Sequence, residues 1–242
     1  MGLREIKKQQ TRTAIADAAL TLFMEHGFDQ VTVAQVAQHA GVSTNTVFNY
    51  FPAKEDLFFD RQAEVEGHLA TLVRDRPPGA CPVEIIRDDL LSALQQDDPM
   101  LGLHPGALRF WQVIHDSPAL RAREREIGER AEAALATALA QYPPRTASAP
   151  NAASAPNAAS APNAASTSQT TSAPNTASAP NGSDQPMPAL LAGAIAGAHR
   201  AVLREIQRRV MSGEPPARAR NTVAPAALQA FNLLCSGLHT GL

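Results

Sequence analysis

Thr44, Asn45, Phe48 and Asn49 stand at i, i+1, i+4 and i+5, a spacing that gathers them on one face of a helix. Carboxamides so placed can pair with adenine through N6 and N7, and a threonine can donate, accept or set its methyl against thymine. This is the chemistry of reading base edges in a duplex major groove. Taken alone, the same four positions would also suit an ordinary solvated face. Two features argue for the groove. Phe48 is a large apolar side chain among them, and residues 30 to 53 contain no carboxylate. Asp29 precedes that window, and Lys54, Glu55 and Asp56 follow it, so charge is plentiful on either side. A surface that approaches phosphates excludes Asp and Glu, because uncompensated like charge repels the duplex.

The elements that must position these residues are legible around them. Ser43 is placed to cap a helix running to about Tyr50, with Val47, Tyr50 and Phe51 on its apolar side and Pro52 preventing simple continuation. Before it, Thr32 and Gln35 form a capping box for a helix whose apolar side is Val33, Val36, Ala37 and Ala40, and Gly41 ends it. Earlier still, Ile15, Ala18, Ala19, Leu22 and Phe23 make one stripe, closed by Gly27 with Phe28 folding back on the last turn. A fourth, longer helix is expected from Lys54 to about Arg74, burying Leu57, Phe58, Val65, Leu69 and Leu72. Helix, tight turn, helix without acidic residues is the pattern of a unit that enters a major groove.

The run from Thr32 to Leu57 resembles the DNA-binding domain of the TetR family of transcriptional regulators. The matching features are Ala37-x-x-Ala40-Gly41-Val42-Ser43-x-x-Thr46, the aromatic cluster that closes the third helix, and Phe51-x-x-Lys54-x-x-Leu57. With the preceding helix and Gly27-Phe28, the likeness covers residues 8 to 60. It implies an all-α homodimer, each subunit a three-helix head on a larger helical ligand-binding body. By position, Thr32 and Val33 would meet phosphates, while Ser43, Thr44, Asn45, Thr46 and Asn49 would lie along the groove. Tyr50 and Lys54 would hold the backbone, Lys54 as a point charge. Phe48 stands where family members often carry tyrosine, which exchanges a phosphate contact for an apolar one, such as a thymine methyl. Ala53 replaces a capping residue, so the fourth helix should begin with a cap weaker by about 1 kcal/mol.

Past Arg76-Pro77-Pro78-Gly79, helices are expected over Val83–Gln95, Pro105–His115, Ala119–Gln141, Leu190–Met211 and Thr222–His239, with Pro143-Pro144 ending the third of these and 213–220 as a loop. No segment alternates with period two, so the fold class is all-α, with about nine helices. Residues 148 to 183 repeat Ser-Ala-Pro-Asn-Ala-Ala with a period of six and offer no large apolar face. Such a segment cannot offset the entropy of ordering and reads as a disordered insert. The expected division is 1–53 as the DNA-binding domain, 54–145 as the first part of the ligand-binding body, 146–186 as the insert and 187–242 as dimerisation helices.

The body is less specific. Leu108 to Arg125 is similar to the body of many actinobacterial TetR members, and Trp111, Ile114 and His115 are candidates to line a small-molecule effector cavity. Trp111 as core and His115 as a solvated or satisfied histidine is the competing reading. Gly193 and Gly197, four apart among alanines, permit close helix approach between subunits or belong to a small-residue core.

Composition bounds the rest. The chain has 242 residues, 44% of them hydrophobic, and a formal net charge of −2, so any grip on phosphates must come from local rather than global charge. Arg4, Lys7, Lys8 and Arg12 form a basic cluster opposed by Glu5, suited either to a DNA backbone or minor groove or, for residues 4 to 8, to a solvated tail. Cys81 and Cys235 lie far apart in sequence, fit no metal or redox spacing, and read as reduced structural thiols. The start lacks an apolar leader core and the Ser or Thr of a myristoylation signal, and the apolar stretch 189–198 is too short to span a bilayer. A cytoplasmic location, no membrane, no metal and no cofactor are therefore expected. Glycine loops for phosphates, Gly-x-Ser-x-Gly, His-Glu-x-x-His and Cys-x-x-Cys are all missing from the sequence, so an enzyme is disfavoured. A helical protein that has lost DNA binding stays open as an alternative, given Phe48, Ala53 and the modest charge.

Overall fold

Helix α1 (Leu3–His26) extends the first apolar stripe back through the basic cluster. Arg4, Lys7 and Lys8 are thus exposed on helical turns rather than on a loose tail. The structure, a computed structural model, describes residues 2–104, 106–141 and 186–239. The repeat at 148–183, the Pro143-Pro144 stop and Pro105 lie outside the described residues. Regular structure among those described is entirely helical: α2 (Val33–His39), α3 (Thr44–Tyr50), α4 (Lys54–Phe58), α5 (Gln62–Asp75), α6 (Pro82–Gln95), a 3-10 turn (Pro99–Leu101), α7 (Ala107–Asp116), α8 (Pro118–Gln141), α9 (Pro186–Met211) and α10 (Pro216–His239).

Two expectations on element bounds are corrected. The fourth helix is not continuous to Arg74: Phe59 leaves helical geometry at φ −100°, ψ 49°, and the chain restarts as α5. The break lets Phe58 enter the core while Phe59 packs on it edge-on, ring centroids 5.1 Å apart. It also frees the Asp60 carbonyl, which accepts from Arg12 Nη2 at 3.3 Å. With the break, Val65 faces out instead of in. The last helix begins at Pro216, not near Thr222. Proline suits a first helical turn because its missing N–H has no partner to lose there, and the Pro215 carbonyl accepts from the Arg218 and Ala219 N–H groups.

Two apolar cores result. The first joins α1–α4 to α7 and the start of α8, with Phe23, Phe28, Val36, Val47, Phe51, Phe58, Ile114 and Leu120 all buried. The second lies among α5, α6, α8, α9 and α10, around Ile86, Leu90, Leu135, Ile195, Ile206 and Phe231. The head's core therefore reaches past residue 53 into α4, α7 and α8. Cys81 and Cys235, 154 residues apart, meet with sulfurs 3.5 Å apart, which their sequence separation gave no reason to expect.

Candidate nucleic-acid interface

The turn that aims α3 is built from local bonds. The Thr32 hydroxyl accepts from the Gln35 N–H at 3.2 Å, and the Gln35 side-chain oxygen accepts from the Thr32 N–H at 2.7 Å, closing the expected capping box. At the far end of α2, Gly41 takes φ +66° and the Val42 N–H reaches back to the Ala37 carbonyl at 3.0 Å. That 6→1 bond is the Schellman stop, and it needs the left-handed conformation glycine adopts freely. Ser43 then caps α3, its hydroxyl accepting from the Thr46 N–H at 3.0 Å and lying 2.8 Å from the Thr46 hydroxyl.

Val47 and Phe51 anchor α3 inward at 0% and 1% exposure, and Tyr50 packs partly against the same core. The opposite face presents Thr44, Asn45, Phe48 and Asn49 together to solvent. Ser43 is exposed beside them, and Thr46 is half-buried. At the start of α2, Thr32 is exposed and Val33 half-buried.

Two cations expected near phosphates face inward. Arg12 donates to the Tyr50 carbonyl at 3.1 Å, pairs with Asp60 at 2.8 Å, and lies 4.4 Å from the centre of the Phe51 ring. It therefore braces the C-terminal end of α3. The sequence did hold a sign of this: Arg12 precedes Ile15 by three and Ala19 by seven, on the line of the buried stripe. Lys54 Nζ donates to the Phe28 carbonyl at 2.6 Å and sits 4.2 Å over the Phe28 ring. Burial holds its pKa below the usual lysine range, against the opposing pull of Asp29 and Glu55. Ala53 supplies no side-chain cap, as expected. The deficit is partly made good because the Asp56 carboxylate accepts from the Ala53 N–H at 3.0 Å, and Arg123 from α8 pairs with the same carboxylate.

The head is coupled to the body through α7. Phe110 stacks on Phe58 with ring centroids 4.7 Å apart and planes 24° apart. Arg109 Nε donates to the Met24 carbonyl at 2.7 Å, and the buried Ser117 hydroxyl donates to Asp29 at 2.9 Å. Sequence reasoning gave Arg109, Ser117 and Arg123 no bridging role, because their partners lie 67 to 88 residues away.

The three candidate effector residues do not converge. Ile114 is sealed in the head core, and His115 is exposed beside Asp116. Trp111 lies between the two cores, its Nε1 buried without an acceptor, pressed against Gly102. Gly193 faces Glu132 of α8 in its own chain, 3.3 Å from where a side chain would begin, whereas Gly197 opens onto free space. Apolar side chains emerge instead at Leu190 of α9 (66% exposed) and at Leu228 and Leu233 of α10 (40% and 69%). The α10 pair borders a shallow cleft of about 300 Å³.

The profile of the family described as bacterial regulatory proteins, tetR family, matches residues 15–60. The HTH-type transcriptional regulator BetI of Burkholderia mallei is 31% identical over 147 residues, 60% of this chain and 73% of that protein. The HTH-type transcriptional regulator TcmR of Streptomyces glaucescens is 27% identical over 143 residues, 57% of this chain and 63% of that protein. The chain thus spans a little under two thirds of TcmR. Among solved structures, native NalD of Pseudomonas aeruginosa, described as the secondary repressor of the MexAB-OprM multidrug efflux pump, superposes with a TM-score of 0.52 at 17% identity, covering 92% of this chain and 97% of that one. That likeness is one of fold.

Proposed function

Because the chain belongs to the TetR family of bacterial regulatory proteins, we propose that it is a sequence-specific, ligand-responsive DNA-binding transcriptional regulator, a repressor released from its operator by a small-molecule effector. In this reading 1–53 binds DNA, 54–145 begins the effector-binding body, 146–186 is an insert, and 187–242 forms the dimer. The observation that carries it is the outward face of α3. Thr44, Asn45, Phe48 and Asn49 stand exposed together on a helix fixed by two caps and Arg12, in a window free of carboxylates.

Phosphate contacts come from Thr32, Val33, Ser43 and Tyr50, and Lys54 joins them only once its ammonium leaves the Phe28 carbonyl. Base contacts come from Thr44, Asn45, Thr46, Phe48 and Asn49. The apolar side chains exposed on α9 and α10 are assigned to an isologous interface with a second copy, with Leu228 and Leu233 bordering one cleft. Twofold symmetry sets the two recognition helices about one DNA turn apart, ~34–36 Å, and makes the operator near-palindromic. An effector bound in the body, with Trp111 at its edge, shifts the heads through α7 and lowers DNA affinity. By linkage, DNA lowers effector affinity by the same factor. DNA as partner places the protein in the cytoplasm, and among the described residues no helix is long and apolar enough to cross a membrane.

Selection of bound fragments from random duplex DNA tests this. The pure protein should enrich one symmetric site and release it as salt rises. The Asn45→Ala, Asn49→Ala double variant should lose that site while retaining its fold by circular dichroism. No enriched site, or full retention by the double variant, would overturn the reading in favour of a helical protein without DNA recognition.

A further inference from the structure

We propose that Cys81 and Cys235 form an oxidation site, at which a hydroperoxide couples the two sulfurs into an intramolecular disulfide that fastens α10 to the start of α6. The chain has two cysteines in all, and the fold brings them from 154 residues apart into contact at 3.5 Å. Cys81 is half-buried immediately before α6, whose first residue is Pro82. Cys235 is buried on the inner face of α10, on the same stripe as Val223, Ala227 and Phe231. The two thiols thus differ in access. A small oxidant can reach Cys81, while Cys235 waits behind it.

The electrostatics at Cys235 add to its seclusion. Burial pushes the Cys235 thiol up to about 12, and the adjoining Cys81 sulfur and Glu84 push the same way. Cys81 reacts first, because it is the sulfur that solvent and oxidant can reach. Its sulfur attacks one oxygen of hydrogen peroxide and the O–O bond breaks. Hydroxide leaves and takes up the proton that Cys81 gave to solvent, forming water, and Cys81 becomes a sulfenic acid. The Cys235 sulfur then attacks the Cys81 sulfur. The S–S bond forms, the S–O bond breaks, and the departing oxygen takes the Cys235 proton to leave as a second water. Two thiols have lost two electrons and one peroxide has gained them. From contact distance the sulfurs need close only to about 2 Å to bond. A dithiol reverses the bond by thiol exchange.

The test uses the full-length reduced protein. After treatment with hydrogen peroxide, its intact mass should fall by two hydrogens, and digestion should yield one peptide pair joining Cys81 to Cys235, undone by dithiothreitol. The Cys235→Ser variant should stop at a sulfenic acid on Cys81, captured by dimedone. The Cys81→Ser variant should leave Cys235 as a thiol under the same exposure. Wild-type protein that keeps both thiols, gains oxygen without the sulfur link, or joins two copies through their cysteines overturns the proposal. If either serine variant fails to fold, the wild-type mass and peptide map decide alone.

Discussion

Phe48 leaves 48% of its surface in solvent, while Phe51, three residues later, keeps 1% and carries the Arg12 guanidinium on its ring. Phe51→Ala should cost about 3–5 kcal/mol, since it opens a cavity in the small head core. Phe48→Ala should change stability by no more than about 0.5 kcal/mol, as surface changes usually do. Its effect should appear in binding, as a loss on the order of tenfold, or about 1.4 kcal/mol, for a selected duplex. Urea denaturation and a salt-controlled titration of each variant separate the two outcomes. Which residues of α3 face outward was readable from sequence, because helical spacing and the Ser43 cap are local. That Arg12 and Lys54 turn inward was not, because their acceptors are backbone carbonyls of Tyr50, Asp60 and Phe28, 26 to 48 residues away.

Among the elements, α2 and α3 keep their angle through Gly41. A side chain there meets nothing within 4 Å, so the only obstacle to substitution is its φ of +66°. Gly41→Ala should therefore destabilise the head by about 1–2 kcal/mol, and Gly41→Asn by less, because Asn tolerates the left-handed region. Thermal melts of the two variants give the ranking, and an Ala variant as stable as the parent would contradict it. Capped, short elements of this kind were legible: the Thr32–Gln35 box, Gly41 and Ser43 each announce themselves within four residues. The division of α4 from α5 was not, for it depends on Phe58 finding Phe23, Phe28 and Phe110 while Arg12 claims the Asp60 carbonyl. The contact between Cys81 and Cys235 was hidden for the same reason. It follows from the packing of α10 against α6, which no local pattern encodes.

For the molecule as a whole, acid is a specific threat. Burial holds the His199 imidazole down to about 4 from 6.5; His68 and Arg200 push the same way, and Asp89 opposes them. His68 is itself bonded to Asp89 at 2.8 Å, so α5, α6 and α9 meet at this cluster. Between pH 6.5 and about 4 the unfolded chain binds a proton at His199 that the folded chain refuses. Stability therefore falls as pH drops through that window and this contribution levels off below it. Denaturant midpoints measured across the window should decline more steeply in the parent than in His199→Gln. Equal slopes would mean that His199 does not set the dependence.

The grip of the first core on α7 has a mechanical consequence. Arg109 near one end and Ser117 just past the other are tied to the α1–α2 corner, with Phe110 stacked on Phe58 between them, while Trp111 on the same helix leans into the second core. A rod clamped so to one block and wedged into another works as a rocker arm. Its ties fasten the α1–α2 corner to the body, so a tilt imposed at the Trp111 end would be felt first at that corner.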